Sequence, residues 1–170
     1  MEKETIDKEF LSIIQQNERI IYKVASFYAD AENPIADLYQ EVIINVWKGY
    51  PTFKGDSKPS TWIYRIALNT CISFFRRKKV STSYLEILPE LSDTIDHGDD
   101  QIHELYVMIN KLGKLERALV LLYLEDKSYK EMAEIMGMTV TNVATKLNRI
   151  KEKLRKMSDV NSKQEENGIR

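Results

Sequence analysis

The chain has 170 residues, a single cysteine, 43% hydrophobic residues and a formal charge of −1. That length allows one large domain or two small ones, and the lone Cys71 excludes an internal disulfide or a cysteine-cluster metal site. With no basic-then-apolar leader at Met1 and no apolar run long enough to span a bilayer, a cytosolic protein is expected.

The near-neutral total conceals a sorted charge. Residues 1–50 carry a net −4, 51–80 a net +6, 81–110 a net −7 and 111–160 a net +4. Two basic blocks separated by an acidic one suit a chain with two DNA-facing surfaces, or one whose acidic middle lies on something positive. A catalytic role finds no support: there is no phosphate-binding glycine loop, no metal constellation and no nucleophile paired with a base. His97 and His103 show no metal-ligand spacing and receive no role.

From Thr5 to about Tyr28, Phe10, Ile13, Ile14, Ile20, Ile21, Val24 and Phe27 recur at helical spacing, and the polar run QQNE is expected to divide this stretch into two short helices. Asp30 to Pro34 reads as a turn, with Pro34 near the first position of the next helix. On that helix Asp37, Gln40, Glu41, Ile44 and Lys48 share one side, while Ile35, Leu38, Tyr39, Val42 and Val46 share the other. A solvated surface would account for the first side, but an apolar Ile44 in its middle weakens that account.

Gly49, Pro51, Gly55 and Pro59 then enclose a loop carrying Phe53 and Lys54, after which Ser60 or Thr61 is expected to cap a helix starting near Trp62. On this helix Trp62, Arg65, Asn69, Ser73 and Arg76 project within one arc, opposite Ile63, Ala67, Cys71 and Phe74. A tryptophan packed at a domain edge and a basic run capping a helix dipole would be the plain explanation. The combination of the ring with Arg76, Arg77, Lys78 and Lys79 favours nucleic acid: the cations meet phosphates and a ring stacks on an exposed base, worth about 1 to 3 kcal/mol.

Residues 81–98 have no sustained period, contain Pro89 and Gly98, and read as an acidic linker. The helical period resumes from Asp99 through Ile102, Leu105, Tyr106 and Ile109, breaks at Gly113, and continues through Leu115, Leu119, Leu122 and Tyr123. Ser128 with Glu131 forms a capping box, and Ala133, Gly137 and Val143 stand at helix-turn-helix spacing. Thr139 caps the second helix, whose apolar arc is Val140, Val143, Leu147, Ile150 and Leu154. Its other arc, Thr141, Asn142, Thr145, Arg149 and Lys153 with Lys146 and Asn148 beside them, offers groups that read base edges and hold phosphates. The tail, residues 159–170, is polar and expected to be disordered. The fold class expected is therefore all-α: a helical domain over residues 1–80, a flexible acidic linker, and a helix-turn-helix domain over residues 99–158.

The order D-L-Y-Q-E-V, then W, then F-K-G-D-S, then T-W-I-Y-R-I-A-L-N, then R-R-K-K resembles region two of bacterial sigma factors, most closely the small extracytoplasmic-function group. The stretch from Ser128 to Leu154 resembles region four of the same group. The resemblance implies that the face of Asp37, Gln40, Glu41, Ile44 and Lys48 docks on core RNA polymerase. It implies that Phe53, Lys54, Trp62, Arg65, Asn69, Ser73, Arg76 and Arg77 open the minus-ten element of promoter DNA and hold its non-template strand. Thr141, Asn142, Thr145, Lys146, Arg149 and Lys153 would read the minus-thirty-five element. No cofactor is implied. By position alone, the linker matches a segment that threads through polymerase channels, and members of the group are commonly restrained by an anti-sigma factor. The family usually has Pro where this chain has Gly113, which keeps a break but not a rigid one. An ordinary helix-turn-helix regulator is the competing account, and it leaves the D-x-x-Q-E face and Trp62 unexplained.

Overall fold

The computed structural model describes the backbone of residues 2–77 and 100–168, and the side chains of residues 8–74 and 102–161. The chain divides into two compact units, Met1–Thr94 and Ile95–Arg170. Every element longer than a turn among the described residues is helical. The linker expected over 81–98 lies outside the described residues.

In the first unit, α1 (Glu2–Tyr28), α2 (Ile35–Gly49) and α3 (Pro59–Arg77) pack against one another. Their shared core is Ile21, Val24, Leu38, Val42, Val46, Ile63, Ala67, Leu68 and Cys71, all essentially without solvent contact. The α2 positions are those the 3.6-residue period selects. The first helix is one rod, contrary to the expected division at QQNE. Only Asn17 of that run turns inward, and its Nδ2 donates to the Ile13 carbonyl at 2.8 Å, so the buried amide has a partner on the preceding turn.

The turn before α2 is closed by one carboxylate oxygen. Asp30 Oδ1 accepts the backbone N–H of Glu32 at 3.0 Å, that of Asn33 at 2.8 Å and the Asn33 amide at 2.7 Å. Pro34 then takes the N-cap position. Between α2 and α3 lie a short 3-10 turn, Tyr50–Thr52, and an irregular loop. Helix α3 starts earlier than expected, at Pro59 rather than near Trp62. Proline has no amide to leave unpaired at a first helical position, and the Trp62 N–H already bonds to the Lys58 carbonyl at 3.1 Å.

In the second unit, α4 (Asp100–Asn110), α5 (Lys114–Leu124), α6 (Tyr129–Met136) and α7 (Val140–Gly168) surround Met108, Ile109, Leu119, Leu122, Met132, Val143, Leu147 and Ile150. The run Ala118 to Leu122 is buried throughout, which makes α5 the central helix of the unit. Gly113 breaks the chain as its N-cap, with its N–H donated to Glu116 Oε2 at 2.8 Å. Ser128 and Glu131 close the expected reciprocal box on α6, at 3.2 Å for the Glu131 N–H to Ser128 Oγ and 2.9 Å for the return bond. Gly137 then adopts φ 66°, the left-handed turn that ends α6, and Thr139 Oγ1 accepts the Asn142 N–H at 3.1 Å.

One expectation for α7 fails. Val140, placed on the apolar arc, is 46% exposed, because the first residue of the helix overhangs the packed region. Helix α7 continues to Gly168 through the stretch expected to be a tail, and at its start Asn161 Nδ2 donates to Glu104 Oε1 of α4 at 2.9 Å.

Candidate nucleic-acid and partner interfaces

Helix α2 presents a ridge. Asp37, Gln40, Ile44 and Lys48 are exposed along it and Glu41 is half-buried. Trp47, part of the quoted resemblance but not placed on the ridge by the helical period, belongs with them at 44% exposure, beside Ile44 at 45%. Its ring meets Phe10 edge-on, with centroids 4.7 Å apart. The place of Trp47 three residues after Ile44, on the same side of the helix, was the available signal.

The loop after α2 folds back so that Phe53 stacks on Trp62, with centroids 4.5 Å apart and planes at 26°. Gly49 lies against the other side of this region: a methyl group there would sit 3.4 Å from Trp62 Cζ2 and 3.5 Å from Ile66 Cδ1, ordinary contact distances that do not themselves require glycine. Trp62 is therefore half-buried between its own chain's residues, not presented freely on a polar face. Lys54, Arg65 and Asn69 are exposed. Arg76 and Arg77 end α3, and their side chains, like Lys78 and Lys79, lie outside the described residues.

Beside the stacked pair an open groove of about 340 Å³ runs between α2 and α3, lined by Glu41, Asn45, Gly49, Asn69, Ser73 and Phe74 among others. The Asn45 Nδ2 donates to Thr70 Oγ1 at 3.1 Å, which joins the two helices along it. A carboxylate, amides, a hydroxyl and a ring are thus gathered in one cleft. Cys71, behind this wall, is fully buried, and burial pushes its thiol up to about 12.

In the second unit, Thr141, Asn142, Thr145 and Arg149 are exposed along α7 and Lys146 is half-buried. The Thr145 hydroxyl donates to the Thr141 carbonyl at 2.9 Å, so toward a ligand it is left as an acceptor. Lys153 is exposed but engaged, its Nζ 3.0 Å from Glu116 Oε2. Lys151 lies on the α5 side, 4.4 Å above the Tyr123 ring.

The family model for sigma-70 region 2 matches residues 13–80, which hold the ridge, the stacked rings and the groove. The model for sigma-70 region 4 matches residues 102–154, which hold the helix-turn-helix. The sigma factor SigW of Bacillus subtilis is 30% identical over 154 residues, covering 81% of this chain and 80% of its own. The chain belongs to the extracytoplasmic-function sigma factors. The sigma-E factor of Haemophilus influenzae, another member of the family, is 29% identical over 138 residues, covering 72% of this chain and 73% of its own. Among solved structures, RpoE of Bartonella quintana in complex with the anti-sigma factor NepR superposes with a TM-score of 0.66 at 18% identity, over 91% of this chain and 96% of that one. CnrH in complex with the cytosolic domain of CnrY gives 0.65 at 17%, over 91% and 90%. These two likenesses establish the all-helical fold. No helix among the described residues is long and apolar enough to cross a membrane.

Proposed function

We propose that this sigma factor docks core RNA polymerase on the α2 ridge of Asp37, Gln40, Glu41, Ile44, Trp47 and Lys48. In the same reading, the minus-ten strand lies across Lys54, Arg65 and the α2–α3 groove, with Arg76 and Arg77 extending the cationic track. Thr141, Asn142, Thr145, Lys146 and Arg149 take the minus-thirty-five element in the major groove. The observation that carries this reading is that Glu41 of the ridge and Asn69 and Ser73 of the DNA arc line one cleft. Docking and strand capture would then share a wall, and a polymerase seated on the ridge would hold the groove over the separated strands.

The proposed domains are the residues 1–80 for docking and opening, a linker over 81–98, and residues 99 onward for upstream recognition. The protein would act in the cytoplasm, where the polymerase works, with no catalysis and no cofactor of its own. The likeness to RpoE, whose structure holds an anti-sigma factor, supports the same kind of partner here, testable by co-purification. The Trp62 role is narrower than a bare stacking platform, because Phe53 already occupies one face of the indole.

The test is transcription in vitro with purified core polymerase, sequencing the transcripts it starts. Specific initiation is expected, whereas tight binding to a palindromic duplex without polymerase would favour a conventional regulator. Glu41→Arg should lose polymerase affinity, and unchanged affinity would remove the ridge from the reading. Trp62→Ala should form the polymerase complex but open promoters poorly. If it blocked docking and spared opening, the assignment of α3 to DNA would be wrong.

A further inference from the structure

At 100° per residue, Asn142, Thr145, Lys146, Arg149 and Lys153 fall within an arc of about 100° on α7. The last cation of that stripe already has an anion. Lys153 Nζ sits 3.0 Å from Glu116 Oε2, and the same oxygen accepts the Gly113 N–H at 2.8 Å. The carboxylate is therefore fixed at the first turn of α5, where the aligned peptide dipoles favour negative charge. Burial alone would raise its pKa, but the Lys153 hydrogen bond, the Gly113 amide and the charges of Lys153 and Lys146 together hold it below its ordinary value. It is an anchored anion facing the cationic end of a DNA-reading stripe.

We propose that Glu116 is an internal stand-in for a backbone phosphate, which Lys153 exchanges for a DNA phosphate when α7 enters the major groove. This rests on the reading of α7 as the DNA-contacting helix. The exchange replaces one ion pair with another, so the Lys153 contact adds little net affinity, and the released carboxylate is left facing a polyanion. Affinity for arbitrary DNA comes almost wholly from such phosphate contacts. A carboxylate that competes for one of them lowers adsorption of the free protein to non-promoter DNA.

The test uses the full-length chain and a fluorescein-labelled duplex of mixed sequence, titrated by anisotropy over a range of salt. Glu116→Gln keeps an acceptor for the Gly113 N–H and should bind severalfold tighter at low salt. Lys153→Gln should lower the magnitude of the salt slope by about 0.9. The gain from Glu116→Gln should shrink when Lys153 is also replaced, since the two residues form one pair. Glu116→Gln binding no tighter than wild type, or Lys153→Gln leaving the slope unchanged, would overturn the proposal and make the pair a strap between α5 and α7. Arg149→Ala separates the two levels. If it fails to weaken binding, the assignment of α7 to DNA is wrong whatever Glu116 does.

Discussion

Gly137 is the residue on which the orientation of α7 turns, and its replacement has a calculable cost. Its φ of 66° is left-handed, and its N–H bonds to the Ala133 carbonyl. A methyl group built there meets nothing within 4 Å. The cost of Gly137→Ala is thus backbone strain without a clash, about 1–2 kcal/mol. Gly137→Asn should cost less, because asparagine tolerates that region. For a domain of 60–100 residues, each kcal/mol lowers Tm by about 4–8 °C. The assay is built into the chain: both tryptophans, Trp47 and Trp62, belong to the first unit. Far-UV circular dichroism should therefore register the loss, while the tryptophan-fluorescence transition stays in place. Equal costs for alanine and asparagine, or none for alanine, would refute the argument that conformation rather than space requires glycine.

Ser128→Ala should destabilise the second unit by about 1 kcal/mol, and the double variant with Glu131→Ala should cost less than the sum, since the box is reciprocal. Additive losses in a urea-melting cycle would show that the two side chains act separately. Cys71 should resist alkylating reagents in the native protein and react once urea exposes it, as a mass-resolved time course would show. Burial keeps its thiol protonated up to about 12 when folded, against 9.0 for an exposed thiol. That contribution to stability is complete below pH 9.0 and is lost as pH rises toward about 12. Native Cys71 reacting as fast as a small-molecule thiol would contradict its burial.

Features set by neighbours in sequence were legible, and features set across the fold were not. The Ser128 box, the Thr139 cap and the Gly137 turn each follow from residues within a few positions, and the structure has all three. Leu38, Val42 and Val46 were legible for the same reason, since a helical period needs no knowledge of what covers it. The polar run QQNE looked like a break because its composition is visible, whereas the Asn17 bond to Ile13 that rescues it is not. Trp62 was expected on an open face because helical angle says nothing of Phe53, which returns from the preceding loop to cover it. The engagement of Lys153 by Glu116 joins two helices, and no local rule would have paired them.

The same distinction bears on charge. Counted along the sequence, the anions lie mainly in the first and third segments and the cations in the second and fourth, which suggests open basic surfaces. In the fold, anions stand among the proposed DNA contacts: Glu41 shares a cleft with Asn69 and Ser73, and Glu116 holds Lys153. Each such carboxylate subtracts from the phosphate attraction that drives unspecific binding. A chain arranged in this way gains little from adsorbing to DNA alone. In the proposed reading, its promoter contacts would become effective when a second surface, the α2 ridge, is fixed to a polymerase, because the separate weak sites would then act at high effective concentration on one DNA. Near-neutral net charge would then suit a subunit that reads DNA as part of a larger assembly.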